Sequence, residues 1–251
     1  MSEPAARDHY SYAHYRDPEV ARRFDERRFG GPIGELVAES QARVLADFVG
    51  PVQGRSVLDV GTGTGRAALL LAASGARVTG VDASAEMLMV ARQRAADVGA
   101  GVSFLQGDAH QLEFADRSFD IVLSLRVIMH TPRWRECVAE LCRVARDRVI
   151  LDYPSARSVA AVQSLVRRAF SALGGRTEPY RVFSAREVES ALLASGFRIR
   201  ATHRQFVVPI AFHKAVGSRR FTTAVESVFD RVGLMRLLGS PVTVVAERCP
   251  P

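Results

Sequence analysis

The tightest constraint on this chain is the stretch VLDVGTGTGRAALLLA, which begins at Val57. A short apolar run ends in glycine at three alternate positions, and an Ala/Leu-rich run of helical character follows without a spacer. The backbone must leave a strand, turn sharply, stay bare over the turn and enter a helix. Glycine allows both the turn and a close approach to a ligand, because it has no Cβ. In open α/β sheets, ligands sit at the carboxyl ends of the strands. The turn therefore predicts an α/β fold and marks the place of its site.

The rest of the chain follows the same alternation. Strand patterns fall at residues 56–60, 77–81, 102–106, 119–125 and 148–152, with helical patterns at 66–73, 85–97 and 134–144 between them. Ser84 is placed to cap the helix over 85–97. Such alternation implies a doubly wound, mostly parallel sheet with right-handed crossovers. After Pro154 the pattern changes. A helix is expected over 158–173, ending at Gly174-Gly175. Ser184 and Glu187 have capping-box spacing for a helix that Gly196 stops. Residues 197–208 read as a strand, 215–238 as helical and 241–247 as a last strand. Residues 1–49 are also helical, and Gly50-Pro51 ends them. The expected organisation is an N-terminal helical cap over 1–49 and an α/β domain over 50–251. Cap insertions are expected near 155–183 and 211–239.

Three ligands compete for the Gly-rich turn. A phosphate-binding loop needs Gly-Lys-Ser/Thr, but Gly65 is followed by Arg66-Ala67, so that reading fails. A dinucleotide fingerprint needs GxGxxG, and this turn is GxGxG, so NAD is disfavoured. The third is the E/DxGxGxG turn, matched in full by Asp59-Val60-Gly61-Thr62-Gly63-Thr64-Gly65. Downstream features come in a matching order. Asp82 ends the second strand, where a carboxylate can accept from two ribose hydroxyls. Asp108-Ala109 follow the third strand, and Leu125-Arg126 end the fourth.

Over about residues 50–153 the chain resembles the class I S-adenosylmethionine-dependent methyltransferases, in the subgroup of ubiquinone/menaquinone-type and small-molecule enzymes. The resemblance implies a Rossmann-like, doubly wound seven-stranded sheet with an antiparallel last strand, and helical cap elements. It also implies S-adenosylmethionine as cofactor and S-adenosylhomocysteine as product. By this resemblance Asp59, Gly61, Thr62, Gly63 and Gly65 line the methionine end, and Asp82 holds the ribose. Ala83 and Met87 pack on the adenine, Asp108 and Ala109 hold its edge, and Leu125 and Arg126 face the methionine part. A tyrosine from the N-terminal helix often covers the cofactor. Tyr10, Tyr12 and Tyr15 are the candidates here, and Tyr15 is the one assigned.

Methyl transfer from a sulfonium needs alignment more than it needs a catalytic side chain. A general base is required only where the acceptor must lose a proton. His130, after the fourth strand, is the candidate base; its alternative role is to anchor the loop before Pro132. Asp152 and Tyr153, ending the fifth strand, are candidates to touch the acceptor. Ser124-Leu125-Arg126-Val127 stands where nucleic-acid and protein enzymes of the family carry an Asn-Pro-Pro-Tyr-type motif, which favours other acceptors. Apolar residues of the cap elements, such as Phe170, Phe206 and Phe212, suggest an apolar small molecule or, equally, ordinary helix packing; specialised metabolism is the expected setting. RNA or protein as acceptor is the alternative, as is a member that binds the cofactor without transferring methyl.

Composition narrows this further. The formal charge is +7, but the basic residues are scattered arginines with Lys214 the sole lysine, so nucleic acid is disfavoured. Three cysteines without CxxC spacing argue against a zinc site or a disulfide framework, and no metal is expected. No apolar run reaches the roughly 20 residues of a membrane span. The charged N-terminus is unlike a secretory signal, so a cytoplasmic protein is expected. A homodimer is left open.

Overall fold

The computed structural model describes residues 15, 17–159, 161–164 and 180–250. Two helices lead, α1 (Pro18–Phe29) and α2 (Gly31–Val49). The alternating part follows: β1 (Ser56–Val60), α3 (Arg66–Ala73), β2 (Arg77–Asp82), α4 (Ala85–Asp97), β3 (Val102–Gln106), β4 (Phe119–Ser124), α5 (Trp134–Val144) and β5 (Ala145–Tyr153). The chain closes with α6 (Ala185–Ala194), β6 (Phe197–Arg204), α7 (Ile210–Val216), α8 (Arg219–Arg231), α9 (Leu234–Leu238) and β7 (Val242–Arg248).

The seven strands form one sheet in the order β3-β2-β1-β4-β5-β7-β6. Pairing is parallel from β3 through β5, and β7 runs antiparallel between β5 and β6. This is the expected Rossmann-like sheet with its reversed last strand. Side chains alternate between two cores, as the period of two in a strand requires. Val57, Ile121, Leu123 and Ile150 join the core under α2, α3 and α4. Leu58, Val122, Val149 and Leu151 join the opposite core, with α5 and α6. Both faces of the central strands are thus dry, which explains their nearly unbroken apolar sequences.

Strand order reverses between β1 and β4. The chain builds outward from β1 to β3 and then returns to lay β4 on the other side of β1. A crevice opens at the carboxyl ends of these two strands, at the switch point of the sheet.

Several boundaries differ from expectation. β5 begins at Ala145, directly after α5, because Ala145 pairs with Phe119 and the charged Arg146-Asp147-Arg148 follows at the strand's margin. The strand expected over 197–208 stops at Arg204, and Phe206 takes a φ of 47°. The helical region expected over 215–238 is three helices, α7 to α9. Gly217 and Gly233 break it at φ 69° and 79°. Residues 159 and 161–164 are helical; most of the helix expected over 158–173, its Gly174-Gly175 stop, and Phe170 lie outside the described residues, as do Tyr10 and Tyr12. Among the described residues no helix is long and apolar enough to cross a membrane.

Candidate functional site

The turn after β1 is held open by backbone bonds to its neighbour strand. The N–H groups of Gly61 and Thr62 both donate to the Val81 carbonyl, at 2.7 and 3.0 Å. Gly63 N–H donates to one Asp82 carboxylate oxygen at 2.8 Å, and Ser84 N–H donates to the other at 2.9 Å. Asp82 therefore ties the turn to the end of β2, and each of its oxygens keeps a lone pair for a ligand. The helix cap that Asp82 might have supplied is provided by Ser84, whose Oγ accepts from Met87 N–H at 3.0 Å.

Asp59 lies beneath the turn, 2% exposed, and accepts from Thr62 Oγ1 at 2.7 Å. Burial pushes its pKa up to about 7; the Thr62 bond opposes this and the nearby Asp82 adds to it. Burial also raises Asp82 above the usual carboxylate range. A buried carboxyl, Asp59, and a half-buried one, Asp82, at one end of a crevice favour a cationic ligand.

The glycines do different jobs. Gly61 has φ 72°, and a Cβ on it would stand 2.2 Å from Val127 Cγ2, so β4's loop closes directly over it. Gly63, at φ 53°, has open space where a Cβ would be, so its backbone is bare toward a ligand. Gly65, at φ 80°, faces inward: its Cβ would meet Ala91 and Phe104 at 3.1 Å.

The crevice is a cleft of about 230 Å³. Of the residues assigned to the cofactor from sequence, all line it except Gly65 and Asp108. Gly65 is spent on packing α3 against α4 and β3. Asp108 turns its carboxylate to His110, accepting from its N–H at 2.9 Å and meeting Nδ1 at 2.6 Å. Its neighbours Gly107 and Ala109 line the cleft in its place. Tyr15 reaches the cleft from ahead of α1; its carbonyl accepts from Ser84 Oγ at 2.6 Å, and its ring stands edge-on to His130.

After β4, Arg126 occupies the left-handed region at φ 65°, costly for a residue with a Cβ. Its N–H donates to the buried Asp152 carboxylate, which fixes this bend. Among the described residues, neither Asp152 nor Tyr153 lines this cleft or the cavity beside it. Asp152 holds the loop, and Tyr153 packs on Phe183. His130 closes a single 3₁₀ turn (Ile128–His130) and lines the cleft.

A second cavity, about 570 Å³, adjoins the first. Tyr15, Phe24, Arg28, Gln41, Arg126 and His130 line both. Its far wall is the stretch from Phe206 to Ile210, with Val20 and Val37 from the leading helices. Sequence reasoning missed Phe24, Arg28, Phe29 and Arg66. The signal for Arg66 was available: it is the first helical residue after the turn, and its guanidinium lies 3.7 Å over the Phe29 ring.

Known proteins share this fold. The methyltransferase domain family matches residues 58–151. A phosphatidylethanolamine N-methyltransferase of Cereibacter sphaeroides is 35% identical over 149 residues, which is 57% of this chain and 72% of that protein. The chain belongs to the S-adenosylmethionine-dependent methyltransferases of class I. A demethylmenaquinone methyltransferase of Renibacterium salmoninarum is 38% identical over 104 residues, covering 41% of this chain and 42% of that enzyme. The first curated relatives are likewise matched over 42% of their length. Among solved structures, magnesium protoporphyrin IX methyltransferase from Synechocystis, with bound S-adenosylhomocysteine, superposes with a TM-score of 0.67 at 21% identity. That match covers 95% of this chain and 98% of that one, and shows the shared fold.

The cleft fits the family's cofactor. Gly63 presents bare backbone, the fixed carboxylate of Asp82 has spare acceptor capacity, and Asp59 is an acid whose ionisation a cation would favour.

Proposed function

We propose that this chain transfers a methyl group from S-adenosylmethionine to an apolar small molecule held in the second cavity, in a route of specialised metabolism. The observation that carries this reading is the junction: Tyr15, Arg28, Arg126 and His130 line both cavities. Two compartments sharing one wall of polar side chains suit two ligands that must meet end to end. The cofactor compartment uses Asp82 for the ribose, Ala83 and Met87 for the adenine, and Asp59 with Gly61 and Gly63 for the methionine end. When bound, the cofactor supplies a methyl carbon on a sulfonium, whose departure as a neutral thioether makes in-line displacement favourable.

The chain's own contribution is positioning. The Arg126 bend and the 3₁₀ turn set His130 at the shared wall, and Tyr15 from the N-terminal side shields the same point from water. Where the acceptor is a hydroxyl, His130 is the side chain placed to take its proton. The apolar wall from Val207 to Ile210 and the relatives named for phosphatidylethanolamine and demethylmenaquinone support an apolar acceptor.

Isothermal titration tests the cofactor half. S-adenosylmethionine and S-adenosylhomocysteine are expected to bind, NAD is not, and Asp82→Ala should lose about 100-fold or more of the affinity, as when a buried charge-assisted contact is removed. A folded protein that binds neither sulfur nucleoside would sink the proposal.

A further inference from the structure

The second cavity is apolar in its wall but one-signed in its charge. Among the described residues lining it there are four permanent cations, Arg27, Arg28, Arg126 and Lys214, and no aspartate or glutamate. Glu226 and Asp152 are bonded to residues of its walls and are already engaged, while Arg27 also borders a separate surface hollow lined by Asp17, Glu19 and Glu26. Glu226 accepts from Val207 and Val208 N–H at 2.7 and 3.1 Å and meets His213 Nε2 at 2.8 Å. Asp152 takes the Arg126 N–H; burial raises its pKa, and Arg126 and Arg28 oppose that rise.

Arg27 and Lys214 are different. They line the second cavity and not the first, so their charge does not belong to the cofactor compartment. Neither forms an ion pair among the described residues. Lys214 Nζ donates to the carbonyls of Arg27 and Arg28 at 2.9 and 3.0 Å. These are orphan carbonyls at the end of α1, and a cation there is favourable. They are neutral acceptors, however, so the ammonium charge stays uncompensated and one of its three N–H groups stays available. It is also the only lysine of the chain, standing where an apolar wall from Phe206 to Ile210 meets α1.

We infer that the second cavity takes an anionic amphiphile: an acceptor with an apolar body and a carboxylate or phosphate group directed to Arg27 and Lys214. This deepens the proposed function and rests on its reading of this cavity as the acceptor site. An apolar wall alone would accept a neutral molecule equally well. Arg27 and Lys214 beside that wall, neither in an ion pair among the described residues, disfavour a cationic ligand and favour an anionic one.

The test is competition against 1-anilinonaphthalene-8-sulfonate fluorescence on the full chain, without nucleoside, at low salt. Decanoate, decyl phosphate, decanol and decyltrimethylammonium are the competitors. Decanoate or decyl phosphate should displace the dye at about tenfold lower concentration than decanol, and the advantage should shrink in high salt. Whichever anion wins identifies the headgroup. Arg27→Gln and Lys214→Gln should each lower that advantage about threefold, the size of a partly exposed charge contact. Lys214→Gln also loosens α1, so Arg27→Gln carries the decision if the other unfolds. Decanol competing as well as the anions would overturn the inference, as would an anion advantage unchanged in both variants. Titration with S-adenosylhomocysteine separates the two readings: its failure to bind counts against the methyltransferase proposal, while binding without anion preference counts against this inference alone.

Discussion

At the residue scale, Asp59 is expected to make the proposed cofactor cleft pH-sensitive. Its folded pKa, about 7, lies above the ordinary 3.8. Between these values the folded state holds a proton that the unfolded state has released. Stability from this group therefore falls as pH rises through that window and is lowest above pH 7. A cationic ligand favours the ionised form, so binding below pH 7 must expel the proton. S-adenosylmethionine affinity is expected to rise about tenfold from pH 6 to pH 8, with proton release seen as a buffer-dependent heat. Asp59→Asn should flatten the Asp59 part of that profile, and equal affinity and proton release in the two proteins would refute the assignment. The glycines give a second residue-level contrast. Gly61→Ala meets both a positive φ and Val127 at 2.2 Å, whereas Gly63→Ala meets only a positive φ of 53°. Gly61→Ala should cost about 1–3 kcal/mol more in thermal or denaturant unfolding than Gly63→Ala. Val127→Ala should recover part of that difference. Gly63→Ala should act mainly on cofactor affinity, because its Cβ enters open space. Much of this was legible from sequence, since residues at strand ends beside the switch point are fixed by topology. That Gly65 and Asp108 stand off the cleft wall was not, because the same glycine spacing serves packing as well as binding, and an Asp two residues from a His can satisfy itself locally.

At the element scale, the loop between β6 and α7 depends on α8. Glu226, on α8, accepts two successive N–H groups of that loop and the ring of buried His213 from α7. His213 Nδ1 meets Thr222 Oγ1 at 3.1 Å, so neither ring nitrogen is left unmatched. Glu226→Ala strands two backbone donors and an imidazole, and should cost about 2–4 kcal/mol in denaturant unfolding. Glu226→Gln keeps an acceptor and should cost less. Equal loss from both would show that the clamp is not made through these oxygens. None of this was visible in the sequence, where 215–238 reads as continuous helical pattern. A glutamate on an amphipathic helix is ordinarily a solvent residue, and only the fold brings a loop's bare N–H groups to it. The β-strands were easier, because burial on both faces leaves near-continuous apolar runs. Charged Arg146-Asp147-Arg148 hid the start of β5, because a strand's first residues stay polar when they lie at the sheet margin.

At the scale of the molecule, the sheet and its two cores form a rigid base, while α1 lies across the cleft on few contacts. Only Ala21 of α1 is buried. Its ties are mostly polar: Asp25 with Arg94 on α4, the end carbonyls on Lys214, and Phe24 and Phe29 at the cleft. Sequence reading placed a helix here but gave no means of knowing which face meets the site, since its residues are charged nearly all round. An element with so little buried apolar area should open at a fraction of the global unfolding free energy. It carries Arg22, Arg23, Arg27 and Arg28, so trypsin reports the opening directly. A ligand that needs α1 in place stabilises the closed form by mass action, about 2.7 kcal/mol at a hundred times Kd. Saturating S-adenosylhomocysteine is therefore expected to slow cleavage within α1 by up to about 100-fold while cleavage elsewhere changes less. Asp25→Ala, which removes the tie to α4, should speed cleavage of the free protein and leave the protection partly intact. Cleavage of α1 that is indifferent to bound nucleoside would mean that the helix does not cover the cofactor, and that Tyr15, Phe24 and Arg28 reach the cleft only as part of its outer rim.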